Sequence, residues 1–236
     1  MLLVVAPHPD DAEIHAGGLI ASHVRAGIPV VIIDATRGEM ASRGTVAERV
    51  EEAAAAAAIL GVQARENLGL RDGYLAADPI ALRDGLVDAI RRHRASTVAC
   101  LSGHARHPDH VALAAAASVA AKAAALHGLA TPSGAAAVAR VRLWFYEAEL
   151  RADRADVLIP LSQADWDQKM AAIRCYRSQL ATVADTRLPQ TSIATPDFLT
   201  WIEDRGRAWG REAGAPFAEA IARGLDSPRA PDLTAL

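Results

Sequence analysis

Two cysteines in 236 residues, Cys100 and Cys175, are too few for a disulfide framework or a thiolate metal site, so a reducing compartment is expected. No run of like charges occurs, and a formal net charge of -3 leaves no electrostatic footprint for nucleic acid or an anionic membrane. The expected partner is a small molecule. Long hydrophobic stretches are missing as well: Met1 to Ala6 is a run of six without a basic flank, interrupted at once by Pro7 to Asp11, and it reads as neither signal peptide nor membrane span. The expectation is a cytoplasmic protein. With no internal repeat and no clear linker, residues 1–236 are expected to form a single domain, for which 51% apolar composition is ample.

What is present is a regular alternation. Leu2 to Ala6, Val30 to Asp34 and Thr97 to Leu101 are short apolar runs suited to strands buried on both faces. Gly17 to Ala26, Thr45 to Leu60 and Pro79 to Arg94 read as helices between them. The second opens with Thr45 and Glu48 in capping-box spacing and stops at Gly61. A β-α-β-α order predicts an α/β fold with a mostly parallel sheet flanked by helices, and a ligand crevice at the carboxyl ends of its strands. The alanine-rich stretch Ala112 to Ala125 predicts a closely packed helix, and Gly128 to Ala137 a loop. Val141 to Tyr146 and Asp156 to Ile159 predict further strands. Asp165 to Gln179 and Asp197 to Ala213 predict late helices, joined by a polar segment, Ala184 to Pro196, long enough to rim a site.

Two clusters carry chemistry. The first strand runs into Pro7-His8-Pro9-Asp10-Asp11-Ala12-Glu13, placing a histidine and two adjacent acids at a strand's carboxyl end. Imidazole and carboxylate are good ligands for a divalent cation, and a turn forced by two prolines can aim His8 and Asp11 at one point, with Asp10 beside the metal. The second cluster, His104-Ala105-Arg106-His107-Pro108-Asp109-His110, follows the strand ending at Leu101. In a parallel sheet both loops emerge on one edge, so His110 can complete a site of two histidines and one carboxylate. Asp109, next to a ligand, is expected to orient a histidine of the site. Glu13 reads as support for a helix start. His15, His23, His93 and His127 read as surface or packing residues, and His104 is left unassigned.

At these residues the sequence resembles the LmbE-like (PIG-L) family of zinc deacetylases, whose signatures are Pro-His-Pro-Asp-Asp-x-Glu and His-x-Asp-His. The resemblance continues through Asp34 to Glu39, Arg43-Gly44-Thr45, Arg49, Leu60-Gly61, Asn67 to Gly73, Arg177-Ser178-Gln179 and Gly210 to Glu219. These stretches look like the branch that deacetylates N-acetylglucosaminyl-L-malate in bacillithiol biosynthesis. The resemblance implies a single Rossmann-like domain and one zinc ion per chain, other divalent cations also fitting, held by His8, Asp11 and His110. It implies Asp10 as general base and then acid, and His107 as oxyanion stabiliser. Glu39, Arg49 and Asp72 are implied as contacts to the sugar or its aglycone, Arg49 being suited to a malyl carboxylate. Related enzymes associate, which implies a homo-oligomer, hexamers included. Where some relatives place a tyrosine near the site, this sequence has Phe198. The end of the matched region reads Ala218-Glu219-Ala220-Ile221, and Pro160 stands where many relatives carry an acid.

Three rivals follow from the same residues. Two histidines and a carboxylate are also the facial triad of non-haem iron oxygenases, although many of those use a double-stranded β-helix. A dinucleotide-binding protein would need a glycine fingerprint at the first turn, where His8 to Asp11 stand instead. A non-enzymatic metal-binding protein would have no use for the free carboxylate of Asp10.

Overall fold

The computed structural model describes residues 1–148, 155–180, 189 and 191–224. Seven strands form one sheet in the order β3-β2-β1-β4-β5-β7-β6. The strands are β1 (Leu2–Ala6), β2 (Val30–Thr36), β3 (Ala64–Leu70), β4 (Thr97–Leu101), β5 (Arg142–Tyr146), β6 (Val157–Leu161) and β7 (Phe217–Arg223). The helices are α1 (Asp11–Arg25), α2 (Val46–Leu60), α3 (Pro79–Arg92), α4 (Pro108–Ala123), α5 (Gln163–Ile173) and α6 (Phe198–Ala213). β1 to β5 pair in parallel, and β7 runs antiparallel between β5 and β6.

The three predicted central strands form, and every residue of β1, β2 and β4 is buried. Each such Val, Leu or Ile side chain withdrawn from water supplies about 1.5–3 kcal/mol, which explains why unbroken apolar runs settle in the middle of the sheet. Helices lie on both faces, over two separate apolar clusters. The capping box of Thr45 with Glu48 is present, and Gly61 ends α2 in the left-handed conformation.

Several boundaries differ from expectation. α1 begins at Asp11 rather than Gly17 because the turn is completed at Asp10, which holds φ 113. α4 begins at Pro108, so Asp109 and His110 sit in its first turn rather than in the loop before it. β3 has no counterpart among the predicted strands: it is an edge strand reading ARENLGL, with little of the apolar content of its neighbours. β7 enters the sequence reading only as part of the family resemblance. Pro160 is tolerated because β6 lies at the opposite edge and needs to donate on one side only. Of the polar segment 184–196, residues 184–188 and 190 fall outside the described residues.

The order β3-β2-β1-β4-β5 reverses direction between β1 and β4. In an open parallel sheet the crevice lies at the carboxyl ends of the two strands where the order reverses. His8 follows β1 and His107 follows β4, so both histidine clusters open into that crevice.

Candidate active site and metal centre

The turn after β1 is pinned to the next strand: Thr36 donates both its backbone N–H and its hydroxyl to the carbonyl of Pro7, each at 3.0 Å. His8 then reaches between two sets of acids. Its Nδ1 lies 3.1 Å from Asp11 Oδ2, while its Nε2 lies 3.0 Å from Asp72 Oδ1 and 3.4 Å from Asp109 Oδ2. Burial disfavours charge on this ring, but Asp109, Asp11 and Asp72 together hold its pKa well above the usual histidine range. If Nε2 carries the proton and donates it to these carboxylates, the Nδ1 lone pair faces Asp11, as in the carboxylate–histidine–metal arrangement. His110 Nε2 lies 3.5 Å from the same Asp11 Oδ2. Burial pushes the Asp11 carboxyl up, yet His110 and His8 pull it well below the ordinary carboxylate range. His8, Asp11 and His110 thus converge, and an imidazole pair with a carboxylate fits zinc.

Among the described residues two groupings have one donor atom each within 4.8 Å of one another, His8 with His107 and His110, and His8 with Asp72 and Asp109; His8, Asp11 and His110 do not form such a grouping, their convergence resting on the two approaches to Asp11 Oδ2. Hydrogen bonding argues against both. His107 Nδ1 accepts the N–H of Asp109 at 3.3 Å, which assigns the neutral ring's proton to Nε2 and leaves no lone pair there for a metal. Asp109 is committed elsewhere, accepting the N–H groups of Gly73 at 2.7 Å and Leu75 at 3.1 Å.

Asp10 takes Arg49 as its side-chain partner, Nη2 lying 3.0 Å from its Oδ2. It occupies the N-cap of α1 without making a capping bond, and its φ of 113 is a conformation that costs a non-glycine residue about 1–3 kcal/mol. Burial is the largest influence on its carboxyl and raises its pKa to about 7, against the opposing pull of Arg49 and His8. That value suits a group that must accept and then return a proton near neutrality. His107 stands opposite, its pKa lowered by burial and by His8 and His110, so it is a neutral donor at neutral pH.

Arg49 is not on a solvated helix face. It is 4% exposed, and its Nη2 lies 3.0 Å from Asp10 Oδ2 while also donating to the Pro9 carbonyl. Its Nε is buried without a hydrogen-bond partner. Gly38 makes room for this arm: at φ +68, a Cβ there would lie 2.9 Å from the guanidinium. Glu39 does not reach the cavity lining; it is exposed, and its carboxylate accepts the N–H groups of Arg37 and Asp72. Asp72 lines the cavity but binds His8 and the Met40 N–H, so it holds the ring of His8 as well as forming the wall. His104 is exposed and does not line the cavity.

The cavity around these groups measures about 390 Å³, in the range of small-molecule sites. Sequence reasoning misses one of its residues. His15, expected at the surface or in packing, is 8% exposed, lines the cavity, and places Nε2 4.0 Å from Asp11 Oδ1. Burial lowers its pKa to about 3, and its Nδ1 has no hydrogen-bond partner. The available signal is its spacing, one helical turn after Asp11. Phe198 lies in the apolar cluster of α6 and borders an adjoining cavity, not this one.

Comparison with known proteins agrees with the geometry. A probable N-acetyl-alpha-D-glucosaminyl L-malate deacetylase 2 of Bacillus subtilis (strain 168) is 35% identical over 121 residues, 46% of this chain and 55% of that protein. The chain therefore spans about half the length of the curated relatives it matches. The crystal structure of the conserved protein TT1542 from Thermus thermophilus aligns with a TM-score of 0.84 at 36% identity, covering 98% of this chain and 97% of that one. GalB, the 4-carboxy-2-hydroxymuconate hydratase from Pseudomonas putida KT2440, aligns with a TM-score of 0.74 at 25% identity, covering 97% of this chain and 96% of that one. The family model described as PIG-L, GlcNAc-PI de-N-acetylase, matches residues 3–121, which contain both histidine clusters, Arg49 and Asp72. The chain belongs to the PIG-L family.

Proposed function

We propose that the chain is a metal-dependent amidohydrolase that removes the acetyl group of an N-acetylglucosamine conjugate. The observation that carries this reading is the pairing of a convergent His8–Asp11–His110 set with a strained Asp10, held by Arg49, whose pKa lies near neutrality. Zinc held by those three residues would polarise the amide carbonyl and lower the pKa of a water molecule toward about 7. Asp10 takes a proton from the attacking water and returns it to the amine nitrogen as the C–N bond breaks. The Nε2–H of His107 holds the oxyanion of the tetrahedral intermediate, a contribution of about 3–4 kcal/mol for one well-placed donor. Asp72 and Asp109 fix the ring of His8.

For the conjugate we read N-acetylglucosaminyl-L-malate. The support is Arg49, a buried guanidinium that lines the cavity and whose Nε has no hydrogen-bond partner among the described residues; a malyl carboxylate would supply an acceptor to this group. The likeness to GalB favours a second reading, water addition to a carbon–carbon double bond. Three carboxylates in the cavity, Asp10, Asp11 and Asp72, suit an ammonium product better than the tricarboxylate of such a reaction. Assembly into a homo-oligomer belongs to the same proposal; Val111, Val119 and Leu126, on α4 and just beyond it, are each about half exposed.

Amine release from N-acetylglucosaminyl-L-malate, its inositol-linked analogue and free N-acetylglucosamine, before and after chelation, tests the reading. The malate conjugate should be hydrolysed fastest, chelation should abolish the reaction, and Asp10→Asn should keep its metal while losing about 10²–10⁴ in kcat. Absence of amine release from all three removes the amidohydrolase reading. A preference for the inositol conjugate removes malate alone.

A further inference from the structure

Two cavities meet beside the candidate metal centre, and an acetylated sugar accounts for only one of them. The first, described above, has a polar wall in Asp72, Arg49, Gln179 and Thr191, suited to hydroxyl groups. The second, about 360 Å³, shares Ile14, His15, Ser192 and Ile193 with the first and continues to Phe198 and Trp201 on α6. Its apolar walls are Ile14, Ile193, Phe198 and Trp201, and Arg106, Thr195 and Asp197 also line it. Phe198 is 6% exposed, and its ring centroid lies 6.2 Å from that of Trp201, which is 42% exposed at the outer end.

The chemistry of an amide assigns these spaces. Its carbonyl carbon carries two substituents that diverge, the amine side and the acyl side. With the sugar's hydroxyls against the polar wall, the acyl substituent is directed to the shared wall of Ile14 and His15, beyond which the apolar cavity opens. Ile14 and His15 are each one helical turn from Asp10 and Asp11, so this boundary lies next to the reacting carbon. The cavity is far larger than one methyl group requires, and no hydroxyl replaces the aromatic edge at Phe198.

We propose that the chain also hydrolyses N-acyl amino sugars with acyl groups longer than acetyl, butyryl to hexanoyl and aryl-acyl, the chain lying against Ile14, Ile193, Phe198 and Trp201. This rests on the amidohydrolase reading. Water adds to the acyl carbon and the C–N bond breaks. The acid leaves as a carboxylate through the second cavity, and the amine takes up both protons of the water to leave as an ammonium ion through the first.

The test is kcat/KM of the zinc-loaded protein on N-acetyl-, N-butyryl- and N-hexanoylglucosamine, beside octyl and methyl glycosides of N-acetylglucosamine. Each methylene buried against these walls should raise kcat/KM by about fourfold, the factor for withdrawing one CH₂ from water, until the cavity is filled. Thr195→Trp, which narrows the cavity, should lower the hexanoyl-to-acetyl ratio by about fifteenfold, the size of two buried methylenes; circular dichroism checks that the variant folds. Hydrolysis of the acetyl compound with rates that fall at each added methylene overturns the proposal and leaves deacetylation standing. A preference for the octyl glycoside without any acyl-length preference overturns it too, by assigning the cavity to the aglycone. Hydrolysis of the hexanoyl compound alone supports it while removing acetyl as the substrate, and no amine release from any compound overturns both readings.

Discussion

Replacing Gly38 by alanine should impair the active site by displacing Arg49. Gly38 holds φ +68, where a Cβ costs roughly 1–2 kcal/mol, and that Cβ would stand 2.9 Å from both Cζ and Nε of Arg49. The guanidinium has to move, and it is buried with one arm on Asp10 at 3.0 Å. A retreat of about half an ångström takes that contact to the edge of hydrogen-bonding distance. A hydrogen bond between charged groups is worth about 1.5–3 kcal/mol, and one pKa unit corresponds to about 1.4 kcal/mol, so the loss amounts to roughly one unit or more. Its sign follows from the roles. Arg49 lowers the Asp10 pKa against burial, which raises it to about 7; with Arg49 displaced, the carboxyl rises further and is protonated at higher pH. Asp10 acts as a base only when ionised, so the acidic limb of the pH–rate profile should move up by about one unit, giving close to a tenfold loss of kcat/KM at pH 6 and a smaller loss at pH 9. A bound cation's charge shifts wild type and variant alike, so the difference between them is what is read. Urea unfolding should show a loss of about 1–2 kcal/mol. An unchanged acidic limb in a destabilised but folded Gly38→Ala would refute the chain from Gly38 through Arg49 to Asp10.

His107→Gln should retain one zinc per chain by atomic absorption and lose about 10²–10³ in kcat; loss of the metal instead would mean that His107 belongs to the ligand set. Asp72→Asn, an isosteric change beside His8 Nε2, should weaken zinc affinity by about 10–100-fold in a chelator competition. Unaltered affinity, with only KM changed, would return Asp72 to the sugar-contact role read from the sequence.

Legibility follows how locally each feature is encoded. His8, Asp11 and His110 can be paired from the sequence because each cluster directly follows an apolar strand, and strand order alone brings those loops to one edge. Their convergence is seen; their ligand roles remain the proposal. The start of α1 lies six residues before the expected one: Glu13 signals a helix start, but the helix begins already at Asp11, after Asp10 adopts a conformation that no pattern announces. Arg49 enters the sequence reading only through the resemblance, because α2 is largely exposed and only the fold of the loop through Gly38 encloses the side chain. Asp72 is implied as a sugar contact, but its bond to His8 joins segments 64 residues apart (72 minus 8). His15 escapes notice because a single buried histidine on an apolar face is ordinarily packing. β7 is not legible as a strand because its place between β5 and β6 depends on antiparallel pairing late in the chain.

Asp109 has a consequence for how the protein behaves before any ion arrives. Its side chain ties the backbone at Gly73 and Leu75 to the ring of His8, so three separate stretches of chain are already stitched together at the donors. Little ordering is then left for a cation to accomplish. The metal-free protein should stay folded and reload quickly, and added zinc should raise its melting temperature only by ordinary mass action on a preformed cradle.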